Sequence, residues 1–180
     1  MKKKFFLSAL LLLLTINSQA QLLKIGLKAG LNYANFSGTS IQTDAITSYH
    51  VGLVSEIKLL EKFAIQPELL YTTQGATYNT ILGDVENELG YIAIPVLAKI
   101  YLSKSFSLEL GPQASFLVSE KNQFDVSNSN TFDFALDAGL CFKITKSLFI
   151  QGRYVLGLTE VSPNAESKNS VLQLSAGILF

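Results

Sequence analysis

Cysteine, histidine and tryptophan are almost missing from this chain of 180 residues. Cys141 is the single cysteine, His50 the single histidine, Met1 the only methionine, and there is no tryptophan. One cysteine excludes an internal disulfide. One histidine and one cysteine cannot together build a His/Cys zinc site, so no metal and no cofactor is expected. Charge is scarce as well, at 16% of residues. Beyond the first residues there is no basic run, so few phosphates could be neutralised and nucleic acid is not an expected partner. Glycine-rich phosphate loops are absent too. The Gly26 to Gly30 match lies in an alternating segment, the wrong setting for a phosphate cradle.

Long apolar runs are also missing, with one exception at the start. MKKKFFLSALLLLLTINSQA opens on three lysines, runs apolar from Phe5 to Leu14 and closes on Ser18-Gln19-Ala20. The run falls short of the roughly 20 residues that a spanning helix needs. Its form is that of an export signal, with cleavage expected between Ala20 and Gln21. Residues 1–20 are therefore assigned as a signal peptide and 21–180 as one domain. No cysteine follows the cut, which excludes lipid attachment there. Losing Lys2, Lys3 and Lys4 leaves 11 basic and 14 acidic residues, a net charge of −3.

What the body of the chain does have is a period of two. From Phe132 the even positions read Phe132, Phe134, Leu136, Ala138, Leu140, Phe142, Ile144, separated by Asp133, Ala135, Asp137, Gly139, Cys141 and Lys143. From Phe106 the same pattern runs to Val118. Such alternation predicts eight strands, near 23–35, 47–59, 63–74, 89–101, 105–118, 132–144, 147–159 and 170–180. Short connections should alternate with long ones near 36–46, 75–88, 119–131 and 160–169, which are rich in Ser, Thr, Asn, Gly and Asp. Lys62, Lys104 and Lys146 stand 42 residues apart, each opening a strand after a short turn. The repeat unit is one strand out, a long loop, one strand back and a short turn.

Eight meandering strands fit a soluble up-and-down barrel, lipocalin-like and periplasmic, or an outer-membrane barrel with its faces reversed. A soluble surface should be about 25–35% charged, well above what this chain can supply. The polar face carries Lys28, Glu56, Glu68, Lys99, Glu109, Asp137 and Arg153, with Gly26, Gly30, Gly52, Gly111, Gly139 and Gly157 between them. Mid-strand glycines weaken a sheet unless a neighbouring group needs their space. A narrow lumen filled by paired charges needs them; a solvated exterior does not. The expected fold is an all-β, eight-stranded antiparallel transmembrane barrel with short periplasmic turns and longer extracellular loops.

Aromatic residues fall where such a barrel meets water. Phe63, Phe106, Phe142 and Phe180 lie near the short turns; Tyr33, Tyr49, Tyr71, Phe116 and Phe132 lie near the long loops. Phe180 ends the eighth strand. Alternating apolar residues closing on a Phe resemble the signal by which the barrel-assembly machinery selects its clients. Strand 170–180 must pair with strand 23–35, because an open edge is intolerable in lipid.

Three stretches carry a family likeness: GLKAGLNYANFSG at 26–38, YIAIPVLAKIYL at 91–102 and AGILF at 176–180. Together they resemble the Bacteroidota outer-membrane β-barrel family that includes PorT-like proteins, small barrels of OmpA/OmpX size. The resemblance implies residence in the cell outer membrane among lipid and lipopolysaccharide. One branch of the family is linked to protein secretion. Ala93 departs from the acidic or amide residue that members often carry at that position.

Catalysis finds little support. A lipid A-modifying hydrolase would need Ser, His and a carboxylate within reach. His50 is the one candidate base, with Ser48 on the same strand face and Glu56 further along it. Loop acids (Asp44, Asp84, Glu86, Glu120, Asp125, Glu160, Glu166) outnumber Lys121 and Lys168 without calcium-site spacing. A narrow porin is the third possibility, but an eight-stranded barrel is just wide enough for side chains to fill. The expectation is a non-enzymatic barrel with a side-chain-filled lumen and a structural or interactional role through its extracellular loops, whose partner is unidentified.

Overall fold

The computed structural model describes residues 22–37, 43–80, 83–122, 131–162 and 165–180. The expected signal peptide, residues 1–20, lies outside them, as does Asp125. The strands are β1 (Leu23–Ser37), β2 (Thr43–Leu60), β3 (Phe63–Thr80), β4 (Gly83–Tyr101), β5 (Phe106–Asn122), β6 (Phe132–Lys143), β7 (Leu148–Ser162) and β8 (Ala165–Leu179). Each pairs antiparallel with its sequence neighbours, and β8 returns to β1 from Gly26↔Leu179 to Ser37↔Lys168. The sheet is a closed barrel. Closure leaves no unpaired edge, the condition for a sheet in lipid.

Alternation explains which face is which. On β6 the burial alternates along the whole strand, with Asp133, Ala135, Asp137 and Cys141 inward and Phe132, Phe134, Leu136 and Leu140 outward. All nine aromatic residues assigned to the rims have outward parity, and Phe180 is 74% exposed. Among the described residues, buried polar and charged side chains outnumber buried apolar ones. This reverses the arrangement of a soluble domain and excludes the soluble-barrel alternative.

The short turns show what the 42-residue repeat encodes. At Ser103-Lys104-Ser105 the Ser103 hydroxyl accepts from the amides of Ser105 and Phe106 at 3.3 and 3.0 Å. At Thr145-Lys146-Ser147 the Thr145 hydroxyl accepts from Ser147 and Leu148 at 3.2 and 2.9 Å. Both are hydroxyl-closed turns. The turn at Glu61-Lys62 is different: Leu60 pairs directly with Phe63, which leaves a two-residue hairpin. The lysine recurs there on other turn chemistry.

One expectation needs correcting. The segments near 36–46, 75–88, 119–131 and 160–169 are expected as long loops, yet ladders run into all four, with Thr43↔Tyr78 and Asn87↔Asn122 paired as well. β3 and β4 stay paired from Gly75↔Glu88 to Thr80↔Gly83, and β7 and β8 at Glu160↔Lys168 and Ser162↔Ala165. The apolar alternation stops where the outward face leaves hydrocarbon. Backbone pairing does not need an apolar face, so the ladder continues into water.

Candidate functional site

The barrel interior gathers the charged residues that the sequence places on one strand face. Lys28, Glu56, Glu68, Lys99, Glu109, Asp137 and Arg153 are all buried inside it. Glu68 on β3 is the hub. Its carboxylate accepts from both terminal nitrogens of Arg153, at 2.6 and 3.0 Å, and from Lys28 Nζ at 2.8 Å. The Arg153 contact is the two-pronged geometry that suits a planar guanidinium. Arg153 also reaches Asp137 at 3.3 Å and Glu109 at 3.9 Å. Lys99 sits 2.9 Å from Glu109 and 3.5 Å from Glu56.

Neutral partners complete this network. Gln66 donates to Glu68 at 2.7 Å and accepts from Lys99 at 2.8 Å. Gln151 accepts from Lys28 at 2.8 Å and donates to Glu109. Lys143, towards the short turns, donates to Glu56 at 2.8 Å and to the Tyr101 hydroxyl at 2.9 Å. Charge-based reading of the sequence leaves out Gln66 and Gln151, and the expected polar set also omits Lys143, although strand parity places all three on the inner face. Buried charges are tolerated only when paired and hydrogen-bonded. Here each cation has a carboxylate partner.

Apolar side chains bracket the ionic layer. Ala34, Ile46, Ala135, Val155 and Val171 cluster towards the long loops, and Val54, Cys141, Phe149 and Leu179 towards the short turns. Glycine makes room in two ways. A Cβ on Gly177 would lie 2.3 Å from the Phe149 ring, so this glycine admits a neighbouring side chain. At Gly52 it would lie 2.0 Å from the Leu69 carbonyl oxygen, so there the neighbouring backbone takes the space.

His50 belongs to a second network, nearer the long loops. Asn32 Nδ2 donates to Thr72 Oγ1 and to the carbonyls of Thr73 and Tyr49. Asn32 Oδ1 therefore faces His50 Nδ1 at 2.7 Å and fixes the proton on that nitrogen. His50 Nε2 is left to accept from the Ser175 hydroxyl at 2.8 Å. The order Ser–His–Asn is that of a nucleophile, base and orienter. All three side chains are 3% exposed or less. The expected neighbours of His50 are placed elsewhere: Ser48 donates to the Thr73 carbonyl at 2.6 Å, and Glu56 holds Lys143. Among the described residues, no group of three or more His, Cys, Asp or Glu could hold a metal ion.

An inward ionic core within an apolar outer wall points to one class of protein. Residues 17–162 match the family described as outer membrane protein beta-barrel domain. The chain belongs to that family. The outer-membrane barrel also resembles solved structures in fold. Neisserial surface protein A superposes with a TM-score of 0.58 at 12% identity, covering 88% of this chain and 97% of that one. Ail of Yersinia pestis, in a phospholipid bilayer nanodisc, gives 0.53 at 17% identity, covering 87% and 99%. OprG of Pseudomonas aeruginosa gives 0.50 at 11% identity, covering 88% and 94%. No curated protein matches the chain in sequence. The short turns of this outer-membrane barrel lie at one end of the cylinder and its long hairpins at the other.

Proposed function

We propose that this outer-membrane barrel is a closed, non-enzymatic anchor whose extracellular hairpins contact a partner. The observation that carries the reading is the Glu68 hub, which fills the lumen with cross-barrel ion pairs. A path for ions would have to break several buried pairs at once, each costly to leave unmatched. Extending β3 and β4 beyond the membrane gives the exterior a stiff hairpin rather than a loose loop. Within this reading, a PorT-like role as a secretion accessory rests on the resemblance of the 26–38 and 91–102 stretches. Lipid and lipopolysaccharide surround the wall, and the barrel-assembly machinery is the partner during insertion.

The partner's chemistry is constrained by charge. Ail is a structure solved with the heparin analogue sucrose octasulfate, a polyanion. Among the described residues, the long-hairpin end carries Asp44, Asp84, Glu86, Glu88, Glu120, Glu160 and Glu166 against Lys121 and Lys168. A polyanion would be repelled there, so a cationic or neutral partner suits it better.

A narrow channel is the second reading. It is favoured by buried oxygens that have no protein partner, on Gln113, Gln173, Asn169 and Asp137, because such atoms need water. Planar-bilayer recording separates the two. The closed anchor should give no steady conductance, whereas large and stable single-channel steps would make the channel reading the better one. The Ser175–His50–Asn32 trio is read as lumen packing, because an ester would have to enter a filled barrel to reach it. A serine-directed phosphonate should leave Ser175 unlabelled; stoichiometric labelling would revive an enzymatic reading.

A further inference from the structure

The two ends of the barrel carry opposite charge. The periplasmic end holds Lys24, Lys58, Lys62, Lys104, Lys143 and Lys146, against Glu61 and the buried Glu56 that Lys143 already neutralises. These lysines are not scattered. A dish of about 550 Å³ at the mouth is lined by Lys58, Lys62, Lys104 and Lys143, with Tyr101 as its wall and Glu61 as its one acid. It continues past Lys104 and Lys143 into a second hollow of about 340 Å³ that adds Lys24 and Lys146.

The side chains around Tyr101 keep the dish basic. Lys143 Nζ lies 4.8 Å from the Tyr101 ring centre and Lys58 Nζ 5.9 Å from it, so one aromatic ring attracts both cations. Lys58, Lys62 and Lys104 are exposed. Just outside the lysines, Leu59, Leu60, Leu102 and Ile144 are exposed by 51–68% on the outward side of the same rim. Cations therefore stand next to an apolar collar at the boundary between hydrocarbon and water. A glycerophospholipid has the same layout, with phosphate above acyl chain.

We propose that this lysine-lined dish binds the phosphate headgroup of an anionic glycerophospholipid from the inner leaflet, with the acyl chains lying against the leucine collar. Juxtamembrane lysines gain attraction for anionic lipid, equivalent to about fivefold in affinity for each one near the surface. An acidic protein would be held by the lysines but would leave the collar unused. A free phosphate ion would do the same. The assignment rests on charge and position at the membrane boundary and is independent of what the extracellular hairpins bind.

The test uses folded barrel in a non-ionic detergent, with bound lipid counted by native mass spectrometry. Phosphatidylglycerol should be retained about a hundredfold more tightly than phosphatidylcholine of the same chain length, about fivefold for each of three lysines. The triple substitution Lys58→Gln, Lys62→Gln and Lys104→Gln should abolish that preference and leave the Lys143–Glu56 pair intact. If the triple variant does not fold, Lys104→Gln alone should reduce the preference by about fivefold. Lys168→Gln, at the other end, should leave it unchanged. Inorganic phosphate at the lipid's concentration should not displace phosphatidylglycerol. Equal retention of the two lipids, or loss of the preference on Lys168→Gln, would overturn the proposal. Displacement by inorganic phosphate would assign the dish to a soluble anion and overturn it as well.

Discussion

The inner and outer faces of the barrel are made by the same strands but satisfy opposite demands. The outer wall needs mainly to be apolar, and Leu, Ile, Val and Phe recur along it as exposed side chains. The inner wall needs particular partners. Glu68 serves Arg153 and Lys28 together, and Gln66 and Gln151 tie the neighbouring charges to them. The difference is one of chemistry. Dispersion contacts tolerate substitution as long as a side chain is apolar and of suitable size, while a buried charge fails when a single partner is lost.

Removing the hub should therefore have the largest effect. Glu68→Gln keeps the shape but leaves Lys28 and Arg153 facing each other inside the barrel. We expect a loss of about 3–5 kcal/mol in urea unfolding from lipid vesicles. Adding Arg153→Met should restore part of it. An effect below about 1 kcal/mol, within the range of surface ion pairs, would show that the lumen pairs are dispensable.

Two adjacent residues compare the faces directly. Leu174 is 66% exposed on the lipid side, and Gln173 is 1% exposed in the lumen. Leu174→Arg places a charge in hydrocarbon and should cost about 2–4 kcal/mol. Gln173→Arg should cost less, since Gln173 is level with Arg153, which already reaches the Asp137 carboxylate at 3.3 Å, so a lumenal arginine there can share that acid. The same vesicle unfolding ranks the pair. The reverse order would mean that the faces have been assigned the wrong way round.

Deleting Phe180 should have the smallest equilibrium effect. Its side chain is exposed, and its amide is tied to the Ile25 carbonyl at 2.8 Å. Loss of one interfacial ring should change the unfolding free energy by about 1 kcal/mol or less. Insertion should slow and outer-membrane abundance should fall, if the ring is the assembly signal. Normal abundance together with a large loss of stability would show that Phe180 acts as an anchor instead.

Much of the architecture was legible before any coordinates. Alternation from Phe106 and Phe132 located the strands, and scarce charge with mid-strand glycines decided which face meets lipid. The ends of the strands were harder to place, because the ladder through Thr77↔Glu86 is paired but carries no apolar stripe. The lysine repeat was visible, while the tighter turn at Lys62 was not, because spacing does not report hydrogen bonding.

Local pattern thus determined that this protein is a barrel, how many strands it has and which residues enter its lumen. Those properties depend on a period of two, which any short window of sequence displays. The partners were decided only when the strands closed. Glu68 meets Arg153 at a sequence separation of 85, and His50 meets Ser175 at 125, because the register brings β3 and β2 level with β7 and β8. Such pairings are a property of the closed cylinder: the strand stagger sets which inward side chains share a level, and no single strand carries that information.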